Sequence, residues 1–293
     1  MVSSDNTILI VGATGRVGRL VVDELRRAGA RVRALTRNPE DAALPADVEV
    51  VAGDLTAPES LDAALRGVGA VFLVWTAAVA TASAVVARLA AHAPTQPRRV
   101  VYLSAPHQTP HPFFQQPNPL RDLHVEVERL LAAAALDVVV LRPGMFASNA
   151  LHWWEPQIRN GDVVRWPYAA AETAPVDERD LAAVAACTLL DERRAGGDYV
   201  LTGPESLSQA AQVRAIADAI GRPLRYEEVS PDEFRRIAAT WLGAANMLLD
   251  AWQATLGHRA YVTSAIQEIT GSPARTFREW ASDNAASFTG PGK

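Results

Sequence analysis

The sequence predicts an α/β protein built on a doubly wound parallel sheet, with a smaller C-terminal lobe. Three observations carry this: short β-branched apolar runs alternate with helical patterns through the first half, a Gly-rich turn follows the first run, and the alternation weakens after Pro143. The strand candidates are Thr7–Val11, Arg31–Leu35, Val48–Val51, Ala70–Val74, Arg99–Leu103 and Asp137–Leu141, with the near-continuous hydrophobicity of strands covered on both faces. Between them Val17, Leu20, Val21 and Leu25 recur at helical spacing, as do Leu61 with Leu65 and Val85, Val86 with Leu89. The expected boundary puts the sheet domain at residues 1–150 and a mainly helical lobe at 151–293. That lobe is read as a helix over Glu178–Leu190, a strand at Asp198–Leu201 and helices near Ser208–Ile220 and Ser230–Ile237. A further pattern with Trp241, Leu248, Leu249, Trp252 and Leu256 is expected to pack on its own lobe rather than on a second subunit, in a monomer or a homodimer.

Composition narrows the function classes. A chain of 293 residues, 49% hydrophobic and 21% charged, is long enough for a sizeable core and is not disordered. Its net charge of −5 gives no concentrated basic surface for a nucleic acid. No apolar run reaches the length of a membrane span and the start lacks a basic-then-apolar leader, so a cytoplasmic protein is expected. Cys187, the single cysteine, sits in a helical pattern with Leu181, Val184 and Leu189 and reads as an apolar filler. Every basic residue is Arg except Lys293, which removes Schiff-base and catalytic-lysine chemistry.

Gly12-Ala13-Thr14-Gly15-Arg16-Val17-Gly18 follows the apolar run Ile8–Val11 and opens the first helical pattern. Gly12 allows a sharp turn, Gly15 a close approach of pyrophosphate, and Gly18 close packing of helix on sheet, while helix N–H groups face the phosphates. This is the dinucleotide-binding pattern of a Rossmann sheet, and it makes residues 1–150 the NAD(P)-binding domain and 151–293 the substrate-binding lobe. After the second strand, where NAD-selective folds carry an acid, the chain has Arg37. Arg37, with Arg16 beside it, points to the 2′-phosphate of NADPH; the other reading of Arg37 is a solvated surface charge. Asp54 is a candidate acceptor for the adenine amino group, with Leu55 packed on the ring, or else a cap for the helix beginning near Pro58. Val74-Trp75-Thr76 and Ser104-Ala105-Pro106 lie at the carboxyl edge of the sheet and are expected to border the nicotinamide ribose, together with Pro143 and Phe146.

Several ordered motifs carry a family resemblance: Gly12–Gly18, Thr36-Arg37-Asn38-Pro39, Gly53-Asp54-Leu55, His124-x-Glu-x-Glu-Arg-Leu-Leu131, Leu141-Arg-Pro-Gly-Met-Phe-Ala-Ser-Asn149, Val176-Asp-Glu-Arg-Asp180 and Tyr199-x-Leu-Thr-Gly203. From Ile8 to about Phe234 the chain resembles the NmrA-like atypical short-chain dehydrogenases/reductases. The wider superfamily uses a Tyr four residues before a Lys, and the matching positions here hold Leu120 and His124. Ser104 stands where a third catalytic residue would lie, without its partners. The resemblance implies either a quinone reductase or an NADP-binding, redox-sensing regulator without turnover. His124 is the titratable residue at the break, open to three roles: general acid, ribose contact, or structural helix histidine.

His107 and His111 stand four apart in the Pro-rich stretch Ala105–Pro119 but lack a third ligand, so no metal site is expected. Aromatic residues gather where a pocket is expected: Trp75, Phe113, Phe114, Phe146, Trp153, Trp154, Trp166 and Tyr168. With Pro106, they are candidate walls for a flat acceptor, the alternative being that they pack one lobe onto the other. The expected activity is NADPH-dependent hydride transfer to a quinone, enone or aromatic, polyketide-like ketone.

Overall fold

The computed structural model describes residues 7–91, 98–191, 196–239 and 242–289. Its first half is the expected alternation: β1 (Thr7–Val11), α1 (Arg16–Arg27), β2 (Val32–Thr36), β3 (Glu49–Ala52), α2 (Leu61–Leu65), β4 (Val68–Val74), α3 (Ala82–Ala91), β5 (Arg99–Leu103), α4 (Pro119–Ala133) and β6 (Asp137–Pro143). The chain then leaves the sheet through α5 (Asn149–Trp153), α6 (Glu155–Asn160), β7 (Val163–Trp166) and β8 (Glu172–Thr173), and returns through α7 (Glu178–Leu190) and β9 (Asp198–Leu201). The sheet has seven strands, all pairs parallel, in the order β3-β2-β1-β4-β5-β6-β9. Its strand order reverses between β1 and β4, which opens a crevice at their carboxyl ends.

Period-two alternation decides which residues face which helices. Ile8, Ile10, Phe72, Val101 and Val139 turn to the α1–α7 layer, while Leu9, Val71, Leu73, Val100 and Tyr102 turn to the layer of α2, α3 and α4. Each fully buried aliphatic or aromatic side chain contributes about 1.5–3 kcal/mol. A one-residue slip would exchange the two sets, so the register is strongly specified.

Residues 178–201, expected in the second lobe, belong to the sheet layer. Helix α7 packs on α1, and β9 pairs with β6 from Val140↔Asp198 to Pro143↔Leu201. An edge strand with an exposed first residue and two half-buried ones carries little of the hydrophobic signal that marks the inner strands.

The rest of the chain forms β10 (Leu207–Ser208), α8 (Gln209–Ile220), β11 (Arg225–Glu228), α9 (Pro231–Ile237), α10 (Leu242–Ala254), α11 (Ala265–Thr270), α12 (Phe277–Asp283) and α13 (Ala285–Thr289). Two small sheets, β10–β8 and β11–β7, frame a core in which Trp154, Trp166, Phe234 and Trp252 meet edge to face, the tightest pair being Trp166 and Phe234 at 4.7 Å between ring centroids. Leu249 and Trp252 of α10 are buried in this core; Trp241 lies outside the described residues. Among the described residues no helix is long and apolar enough to cross a membrane.

The Val176–Asp180 motif joins the C-terminal helices to the sheet layer. Asp177 caps α7 by accepting from Arg179 N at 2.9 Å, and accepts from Arg275 Nε at 2.9 Å. Asp180 accepts from the backbone N of Arg275 at 2.8 Å, and burial pushes its carboxyl up to about 6 despite that bond. Arg275→Ala leaves the buried Asp177 carboxylate with one cation fewer. Because Arg275 is partly solvated and Arg179 remains, the expected loss is about 2 kcal/mol, below that for a fully buried pair. Urea unfolding of the two proteins measures it, and equal midpoints would show that the contact does not hold the lobes together.

A candidate dinucleotide cleft and a neighbouring pocket

The Gly-rich turn is built by contacts that leave no room for side chains. Gly12 has a φ of +85°, and a Cβ there would lie 3.0 Å from Cβ of Val74. A Cβ on Gly18 would lie 2.0 Å from the Gly12 carbonyl oxygen, so only glycine lets α1 start against the turn. Gly15 is the N-cap of α1 with no side-chain cap, and the first turn contains no acid. The N–H groups of that turn are therefore open to an anion, with the helix dipole in the favourable sense. Arg19, which the sequence reading passed over, donates to the carbonyls of Thr14 at 3.0 Å and of Ala42 and Ala43 at 2.8 Å each, tying the segment after β2 to the glycine turn.

The resulting cleft, about 440 Å³, is lined by Gly12, Thr14, Gly15, Arg37, Asp54, Leu55, Val74 and Thr76 of the residues expected there. Ala13, Val17 and Gly18 are buried as packing, and Arg16 is exposed outside the lining. Arg37 is exposed and, among the described residues, has no hydrogen bond or ion pair. Asp41, a lining residue that the sequence reading did not consider, shares the cleft with it. Asp54 closes its own turn, accepting from Thr56 N at 2.8 Å, and that bond holds its carboxyl below the usual range. Asp54 thus does not cap the helical turn at Pro58, whose N-cap is Ala57, and it still lines the cleft.

A second cavity, about 110 Å³, lies further along the carboxyl edge, past the ends of β5 and β6. Of the candidate wall residues, Pro106, Phe113 and Phe114 line it, joined by Ala105, expected beside the nicotinamide ribose, by His107 and Met145, and by Met247, Leu248 and Ala251 of α10. Several expected wall residues lie elsewhere. The Trp75 ring is buried on the α2–α3 side of the sheet and donates to the Ala77 carbonyl at 2.7 Å, because residue 75 shares the parity of Leu73 while Val74 and Thr76 face the cleft. Trp154 and Trp166 are fully buried in the second-lobe core, and Trp153 packs on them. Pro143 is buried, and Phe146 packs towards the sheet and α7, so the adjacent Met145 faces the pocket instead. His111 accepts from Phe113 N through Nδ1 and therefore donates through Nε2 to the Arg259 carbonyl at 2.9 Å; both nitrogens fasten the Pro-rich loop.

Behind this pocket runs a buried polar network. Arg142 of β6 binds both oxygens of Glu128 at 2.8 Å, both oxygens of Asp198 at 2.6 and 2.9 Å, and the Ala105 carbonyl at 3.0 Å. Ser104 donates to Glu128, so it serves this network rather than the cleft. His107 sits with Nδ1 3.5 Å from Arg142 and Nε2 3.6 Å from Glu128. His124 lines neither cavity; its Nδ1 lies 2.6 Å from the hydroxyl of Tyr102, and Leu120, one turn earlier, is exposed. Burial pushes the His124 imidazole below its ordinary value, with His107 and Arg142 acting in the same sense and Glu128 against it. Burial likewise lowers His107, so both rings are neutral at neutral pH. Neither Glu128 nor Arg142 had been singled out from sequence, although both stand in the quoted motifs and an Arg inside a buried strand is itself a signal.

The model of the NmrA-like family matches residues 4–277. The chain belongs to the NmrA-like family. A relative of this NmrA-like protein, (4-alkanoyl-5-oxo-2,5-dihydrofuran-3-yl)methyl phosphate reductase of Streptomyces griseus, is 37% identical over 288 residues, covering 96% of this chain and 99% of the relative. The NAD(P)H azoreductase of Xenophilus azovorans is 31% identical over 291 residues, covering 96% and 99%. The NADPH-dependent quinone oxidoreductase of Escherichia coli, solved with NADPH, shares the fold with a TM-score of 0.80 at 24% identity over 94% of this chain and 99% of that one.

For the His124 pair, NMR titration of the imidazole is expected to give a pKa below the reference of about 6.5, lower still in Glu128→Gln because the carboxylate favours the charged ring. A depressed folded-state pKa means that the unfolded chain binds the proton more readily. This contribution to stability is therefore complete above about pH 6.5 and is lost as the pH falls below it. A pKa at or above the reference would place His124 in a different environment.

Proposed function

We propose that this NAD(P)H-dependent reductase of the NmrA-like family prefers NADPH and reduces a quinone, enone or aromatic ketone seated in the pocket beside α10. The observation that carries the cofactor preference is Arg37, exposed at the cleft on the segment that follows β2 with no hydrogen bond or ion pair among the described residues, its charge felt only at a distance by Asp54. A guanidinium there suits a 2′-phosphate. The glycine cradle and the uncapped start of α1 fit the pyrophosphate, and Asp54 with Leu55 fits the adenine.

When bound, NADPH supplies a hydride to an electrophilic carbon of the acceptor. Phe113, Phe114 and Met145 provide a flat apolar wall that excludes water and orients the acceptor. The imidazole nearest to the acceptor, His107, is held neutral and is a poor proton donor. That favours conjugated acceptors, in which the displaced electron pair moves onto a carbonyl oxygen that takes its proton from water. The Streptomyces griseus relative, by its name, reduces an alkanoyl-oxo-dihydrofuran of this activated kind that carries a phosphate ester.

Steady-state oxidation of NADPH and NADH against quinones, enones and aromatic ketones tests the reading. Turnover preferring NADPH is expected. Arg37→Ala should weaken NADPH binding about 10–100-fold, the equivalent of one charge-assisted contact, with NADH little changed. An equal loss for both cofactors would rule out Arg37 as the 2′-phosphate selector, and no oxidation with any acceptor would overturn the reductase assignment.

A further inference from the structure

We propose that Arg121 recognises an oxyanion group, a carboxylate or a phosphate, carried by the acceptor at the rim of the pocket beside α10. The proposal rests on the reductase reading and names the substrate class that it leaves open. Arg121 stands in the first turn of α4 and lines the same cavity as Phe113, Phe114 and Met145. Its side chain is half-buried, yet among the described residues it has no hydrogen bond and no ion pair.

The chain has more acids than bases, 33 against 28, and many of its arginines are paired. Arg99, Arg142, Arg165, Arg179 and Arg275 all hold carboxylates. The lining of this pocket contains no carboxylate, and Arg121 is its one charged side chain among the described residues. An arginine partly withdrawn from water beside apolar walls, without an internal counter-ion, suits an external one.

A second donor lies next to it. Asn118 uses its carbonyl oxygen to accept from Leu120 N at 2.9 Å, which leaves its NH2 group as a donor in the same lining. Arg121 also disfavours protonation of His107, so its charge is felt inside the pocket. The cavity of about 110 Å³ has room for one small ring, with a polar substituent reaching the Arg121 side. Arg37 and Arg121 would then divide two anions between them, one on the cofactor and one on the acceptor. Neither Leu120 nor His124, the positions where the superfamily's Tyr and Lys would stand, lines this pocket, so its selectivity does not depend on the absent pair.

The test is the ratio of kcat/KM for an acidic quinone over its neutral parent, using a carboxylate-bearing and a phosphate-bearing analogue in turn. Wild type is expected to favour the acidic members about 10–100-fold, less at high salt. Arg121→Gln should bring the ratio close to one, chiefly through KM. Arg121→Lys should keep part of it, since it retains the charge and loses the fork. The two analogues distinguish which oxyanion is preferred. A wild-type ratio near one, or an unchanged ratio in Arg121→Gln, would overturn the proposal. Should no acceptor oxidise NADPH, the reductase reading fails by itself. Titration of the protein with the same acidic and neutral quinones, followed by tryptophan fluorescence, then decides the role of Arg121 by whether Arg121→Gln removes an affinity difference between them.

Discussion

Arg142 carries a full charge into the protein interior at the end of β6, and three other segments converge on it. Burial opposes that charge, but hydrogen bonds to Asp198 and Glu128 outweigh the opposition and hold the guanidinium firmly protonated. Asp198 comes from the edge strand β9, Glu128 from α4, and the Ala105 carbonyl from the turn after β5. A buried cation tolerates no missing partner, since each unpaired ion in such a place costs several kcal/mol. The end of β6, the seventh strand, the helix behind the pocket and the loop bordering it are thus positioned together. His107, between Arg142 and Glu128, inherits its location from the same network.

Two recognition surfaces along one sheet edge work on different physics. The cleft over α1 has almost no side chains at its centre: its glycines leave room for a ligand and its open N–H groups and helix dipole suit an anion, which fits a group common to many enzymes. The pocket beside α10 is made of side chains, aromatic and thioether on its walls and polar on one flank. Variation in loops and helices there changes what is accepted without disturbing the nucleotide site. The Tyr102–His124 pair, with the imidazole neutral, packs behind this arrangement.

Local features were the most legible in the sequence. The glycine turn, the six strands before Pro143 and the helices α7 to α10 depend on neighbours a few residues away, and their patterns were readable, whereas the short α5, α6, α11, α12 and α13 were not read. Positions decided by distant packing were not. Trp75 and Phe146 were assigned to the site by residue type, whereas strand parity in the first case and adjacent-residue geometry in the second turn Val74, Thr76 and Met145 towards the cavities. Trp154 and Trp166 read equally well as pocket walls or core, and the deciding partner, Trp252, lies about ninety residues further on. Arg121 carried no local signal because its distinguishing property is the absence of a partner, which no sequence pattern displays.

The late return of the chain to its own sheet bears on how the protein is made. Strand β9 ends at Leu201, so roughly two-thirds of the polypeptide must leave the ribosome before the sheet is complete. Until then β6 presents an unpaired edge, and Arg142 lacks the carboxylate of Asp198. An N-terminal fragment ending near residue 150 would therefore hold an intact glycine turn within an unfinished and adhesive sheet. Synthesis exposes the nascent chain to misassembly for as long as α5 to α7 take to emerge, the interval in which a chaperone has most to protect.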